Sequence, residues 1–78
     1  MSDQPPAAAR VVTVREVPIE LCQFLKFGGL AATGGEAKAA IAAGKVLLDS
    51  TVETQKRKKL QAGDRVAFDG QTIVVQVI

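Results

Sequence analysis

The chain opens with an alternation. In Arg-Val-Val-Thr-Val-Arg-Glu-Val, from Arg10 to Val17, Val12 and Val14 fall on one face and Val11, Thr13 and Arg15 on the other, the two-residue period of a strand. The period then changes. Leu21, Phe24 and Leu25 recur at helical spacing, and Pro18 suits a first helical position because the N–H it lacks would have no partner there. A first helix is therefore predicted to begin at Pro18, with Glu20 in its first turn facing the positive helix end. It keeps Lys26 outside in its last turn and stops at Gly28-Gly29.

A second helix lies between Thr33 and Val46. Thr33 and Glu36 have the spacing of a capping box, and Gly44 supplies the left-handed residue that ends a helix. Ala37, Ala40 and Ile41 form its apolar face, and Lys38 turns to water. The link Leu30-Ala31-Ala32 is so short that the two helices must lie against each other.

Beyond Gly44, Val46-Leu47-Leu48 and Thr51-Val52 flank Asp49-Ser50. This predicts a hairpin, with a looser turn than Asp-Gly would give because serine resists positive φ. After the polar segment 54–59, Leu60 is the next residue able to anchor in a core, and Ala62-Gly63-Asp64 is a turn. The runs 65–68 and 72–77 are strands joined by Asp69-Gly70 in a tight hairpin. Ile73, Val75 and Val77 share one face, and Val74 and Ile78 make the other face apolar too, so this strand is either covered on both sides or near an association surface. The expected fold is α+β, two packed helices on a small, mainly antiparallel sheet. Residues 1–9, with Pro5, Pro6 and three successive alanines, have nothing to bury and are expected to form a disordered tail, leaving 10–78 as a single domain.

Composition narrows the function. The chain has 78 residues, 47% of them hydrophobic, and its three aromatic residues are all Phe, so the core is aliphatic and the domain small enough for marginal stability. Phe24 and Phe68 suit core positions. Phe27 is the one ring that could lie outside, although the core is the commoner fate of such a residue. A binding mode that stacks splayed bases is thus disfavoured against one that reads charge and shape. The formal net charge is only +2, but its distribution is uneven: from Arg10 onward ten Lys and Arg face seven Asp and Glu, a net of +3. Lys56, Arg57, Lys58 and Lys59 are consecutive, with no acidic residue between Glu53 and Asp64. Alone, such a run is more often a solvated loop than a binding site, and its match to a nuclear-import pattern carries little weight. Lys26, Lys38 and Lys45 could join it in one basic surface. Gly34 and Gly35 leave the first-turn N–H groups of the second helix open to a phosphate.

Catalysis is disfavoured. The chain has no His, its acidic residues stand singly, and it has neither a phosphate-binding loop motif nor a metal-ligand cluster, so no cofactor is expected. Cys22, the only cysteine, reads as a partly buried small hydrophobe rather than a nucleophile and allows no internal disulfide. No apolar stretch approaches the ~20 residues of a membrane span, and a cytoplasmic location without membrane contact is expected.

From Ile19 to Phe68 the chain resembles the small RNA-binding domain named after ribosomal protein S-four, in its stand-alone bacterial form. The resemblance rests on the helix Glu-Leu-Cys-Gln-Phe-Leu-Lys and on the segment Thr-Gly-Gly-Glu-Ala-Lys-Ala-Ala-Ile-Ala-Ala-Gly-Lys-Val. The strand-turn-strand around Asp49-Ser50 and the close Lys-Arg-Lys-Lys-Leu-Gln-Ala-Gly-Asp complete it. It implies an αL-type helix pair that contacts structured RNA, ribosomal or transfer RNA, together with the hairpin that follows. By position it points to Thr33, Lys38, Lys45 and Lys56 to Lys59. Many members carry an arginine pair where this chain has Gly34-Gly35, and an Asn-Gly turn where it has Asp49-Ser50. The expected RNA-binding set is Lys26, Thr33, Gly34, Gly35, Lys38, Lys45, Lys56, Arg57, Lys58 and Lys59, with a monomer favoured but the oligomeric state not fixed by the sequence, and ribosome association one open option. The rival expectation is a protein-interaction or ribosome-assembly adaptor that uses the apolar last strand.

Overall fold

In a computed structural model, which describes residues 9–78, strand β1 (Arg10–Val14) carries the opening alternation into the core. Val12 and Val14 are buried and Val11 faces outward. All but Ala9 of the tail expected over 1–9 lies outside the described residues.

The first helix starts later than its pattern suggests. Ile19–Glu20 form a short strand, β2, and helix α1 spans Leu21–Phe27. The reason is tertiary. Ile19 pairs with Leu60 of β5 (Lys59–Leu60), both are buried, and the extended backbone of β2 makes that pairing. Glu20 accordingly stands in the N-cap position with extended φ −72° and ψ 144°, not in the first turn, and makes no side-chain cap bond.

Helix α1 buries Leu21, Cys22, Phe24 and Leu25, and helix α2 (Gly34–Ala42) buries Ala37, Ala40 and Ile41. The Thr33 hydroxyl accepts from the Glu36 N–H at 3.1 Å. The Glu36 carboxylate accepts from the Ala32 N–H at 2.9 Å, one residue before the position a capping box would use. At the other end Gly44, at φ +75°, donates to the Ile41 carbonyl at 3.0 Å.

Strands β3 (Val46–Leu48), β4 (Thr51–Val52), β6 (Arg65–Phe68) and β7 (Gln71–Val77) complete a five-stranded sheet of order β1-β7-β6-β3-β4. It is antiparallel except for β1, which runs parallel to β7. One face supplies Val12, Val14, Val46, Val66, Ile73 and Val75 to a single core with the helices and Leu60. Where α1 ends, Gly28 comes so near β7 that an added Cβ would lie 2.5 Å from Ile73 Cδ1, and the Arg10 guanidinium donates to the Gly28 carbonyl. Space, rather than a left-handed backbone, calls for glycine there, since its φ is −80°.

The turn at Asp49-Ser50 is tight, not loose. Both residues take positive φ, 51° and 72°, between the paired Leu48 and Thr51. Contacts with β6 hold it: Asp49 N–H donates to the Arg65 carbonyl at 2.8 Å, and its carboxylate accepts from the Arg65 N–H at 3.1 Å. The outer face of β7 is open at its end, Val74 being half-buried and Ile78 exposed.

Candidate nucleic-acid interface

The start of α2 and the outer side of α1 meet in an open recess of about 190 Å³ lined by Glu20, Cys22, Gln23, Lys26, Gly34 and Lys38. The Lys26 stem runs beside Gly34, and a Cβ there would meet Lys26 Cδ at 3.8 Å, an ordinary contact, so the approach does not itself require glycine. The recess thus joins two ammonium groups to the first turn of a helix whose N–H dipoles point outward. Of the other expected residues here, Thr33 commits its hydroxyl oxygen to the cap, and Gly35 is exposed beside it.

The basic segment is held on the other end of α1. Leu21 N–H donates to the Lys58 carbonyl at 2.9 Å and Cys22 N–H to the Lys56 carbonyl at 3.1 Å, so carbonyls of the segment close the first turn of α1. Two of its four side chains reach Glu20: Arg57 Nε lies 3.3 Å and Lys59 Nζ 3.6 Å from Oε2. The Arg57 hydrogen bond holds the Glu20 carboxyl below its ordinary range, opposed by desolvation and reinforced by the charges of Arg57 and Lys59. Lys56 and Lys58 have no carboxylate partner among the described residues. The run is therefore an alternation of shared and unshared cations.

Lys26, Lys38 and Gly34 are brought together, and Glu20 connects them to Arg57 and Lys59 by lining the same recess. Lys45 is not. It lies past the far end of α2, a helix about 13 Å long. Three residues were missed by sequence reasoning. Glu20 supplies a carboxylate to the lysine recess, but only the pairing of β2 with β5 reveals its partners. Gln23 lines the lysine recess and also a second one of about 290 Å³ bounded by Phe27, Pro18, Ile19, Val14, Arg15 and Glu16. Phe27, for which a core position was the commoner expectation, is the last residue of α1 and 63% exposed.

The S4 domain model matches residues 12–76, a span that holds both helices and every candidate residue. The chain belongs to the S4 domain family. It is 47% identical over 57 residues to YbcJ of Escherichia coli K12, named as a candidate RNA-binding protein, and the match covers 73% of this chain and 81% of that one. A YbcJ of Shigella flexneri, named as uncharacterised, matches to the same extent. The solution structure of E. coli YbcJ, described as revealing an αL motif involved in RNA binding, superposes with a TM-score of 0.68 at 37% identity, covering 100% of this chain and 99% of that one. The α+β fold expected from the hydrophobic pattern and the S4 family implied by the resemblance are thus both the ones found.

Proposed function

We propose that this S4 domain binds structured RNA, ribosomal or transfer RNA, without catalysing a reaction. The observation that carries the reading is the meeting of Lys26, Lys38 and the α2 N-terminus in one recess, linked through Glu20 to the segment fixed on the start of α1. The RNA-binding descriptions of YbcJ support it. Lys26 and Lys38 take one phosphate with the Gly34 and Gly35 N–H groups, and Thr33 fixes the turn that presents them. Lys56 and Lys58 take further phosphates, Arg57 and Lys59 contribute what Glu20 leaves of their charge, and Lys45 meets the RNA at the edge. Recognition of this kind is set by spacing of phosphates more than by bases.

The test is a titration with a mixed pool of structured cellular RNA at three salt concentrations. For four to six neutralised phosphates, log affinity falls against log salt with a slope of roughly −3 to −5. Lys56→Gln and Lys58→Gln each reduce that slope by about 0.7 to 0.9. Absence of binding at low salt, or slopes unchanged in both variants, would overturn the proposal.

One observation favours a second reading, an adaptor for a protein partner or for ribosome assembly. On the sheet face turned from the helices, Val11 pairs with Val74 and Leu47 with Val52, and Val11 and Val52 are about half exposed. Lys58→Glu separates the two: it weakens RNA binding strongly but leaves an apolar interface nearly intact.

A further inference from the structure

Of the three aromatic rings, Phe24 is buried, Phe68 packs half-buried against the core, and Phe27 alone stands in solvent. Gln23 lies one helical turn before Phe27 on the same side of α1, with Lys26 as its other neighbour one turn on. The side of the Phe27 recess formed by Pro18 and Ile19 is apolar, whereas Arg15, Glu16 and Gln23 bring hydrogen-bonding groups to it. Gln23 is also part of the recess that holds Lys26 and Lys38. Two unlike cavities therefore meet at one side chain, one with two lysines and with Glu20, whose carboxylate is already paired with Arg57 and Lys59, and the other aromatic with a polar edge. A nucleotide has the same two parts, an anionic phosphate and a flat ring with an apolar face and a hydrogen-bonding edge.

We infer that the recess beside Phe27 holds one unpaired RNA base, stacked on the Phe27 ring, with its phosphate at Lys26 and Lys38 and the Gln23 amide between them. The inference rests on the RNA reading above and sharpens it. A protein side chain could fill an apolar recess as well, but the lysine pair across Gln23 favours a ligand that carries its own negative charge. Bases in a continuous duplex are already stacked on each other, so the site adds a preference for a bulge or loop to an otherwise charge-driven surface. Phe27 and Gln23 would be specificity residues within a phosphate-binding frame.

Two RNA duplexes of equal length test this, one continuous and one with a single bulged 2-aminopurine. Wild-type protein is expected to bind the bulged duplex about tenfold more tightly, the order of one base–aromatic stack, and to quench the fluorophore. Phe27→Ala should abolish preference and quenching while binding the continuous duplex with an unchanged salt slope, and Phe27→Trp should keep both. Because the ring is exposed, circular dichroism should show both variants folded. Retention of preference and quenching in Phe27→Ala, or their absence in wild type, overturns the base site and leaves the RNA reading standing. Failure to bind either duplex at low salt overturns both.

Discussion

Ser50 holds a backbone conformation that its side chain opposes. A left-handed residue with a Cβ costs roughly 1–2 kcal/mol, and Ser50 sits at φ 72° because the two-residue turn between β3 and β4 requires it. Ser50→Gly removes that strain but adds chain entropy to the unfolded state, about 0.5–1 kcal/mol, so a net stabilisation of roughly 0.5 kcal/mol is expected in urea unfolding. A loss of stability would show that the serine makes a contact that offsets its strain. The Asp-Ser pair reads as a loose turn in sequence because the groups that tighten it, the Arg65 N–H and carbonyl, are supplied by β6 from elsewhere in the chain. Phe27 misled for a different reason. Spacing from Phe24 places it near the core stripe, but the helix ends on it, and no pattern within α1 says whether another element covers the ring.

At the scale of elements, legibility follows how local the determining contacts are. Helix α2 could be read from both ends, since Thr33, Glu36 and Gly44 act within a few residues of it. The start of α1 could not, because Ile19 and Glu20 are drawn into a strand by Leu60 and Lys59. The same pairing puts Glu20 beside Arg57 and Lys59, so this carboxylate adds two ion pairs to the backbone bonds that already hold the basic segment. Its folded pKa is lowered from the ordinary 4.5. The ion pair's contribution is therefore complete above that value and lost as pH falls through the lower folded pKa. Because both cations are mostly exposed, the effect on global stability is small. A carboxyl-detected NMR titration is the suitable measurement. Glu20 should titrate below 4.5 in the wild type and move back toward it in Arg57→Gln. A wild-type midpoint at or above 4.5 would mean that Arg57 does not hold the carboxylate in solution.

At the scale of the whole molecule, the parallel pairing of β1 with β7 is the feature that alternation could not disclose: it joins Arg10 to Ile73 and Val14 to Val77, and periodicity says nothing about partners. Its consequence is that the RNA surface proposed on α1, α2 and the 56–59 segment depends on a strand whose own part in it is confined to Val14 in the wall of the Phe27 recess. Val12 and Val14 are buried by β1, and burying a valine is worth about 1.5–3 kcal/mol, giving about 3–6 kcal/mol for the pair. A domain this size is stable by only about 4–12 kcal/mol in all, and without β1 the strand β7 would also lose the backbone partners along one of its edges and α1 the Arg10 contact at Gly28. A chain beginning at Pro18 should accordingly show weak far-ultraviolet circular dichroism and no cooperative urea transition, and should lose RNA affinity together with its structure. If it instead unfolded cooperatively near the full-length midpoint, the helix pair and the antiparallel strands would be a self-sufficient unit, and β1 would serve the outer sheet face rather than the core.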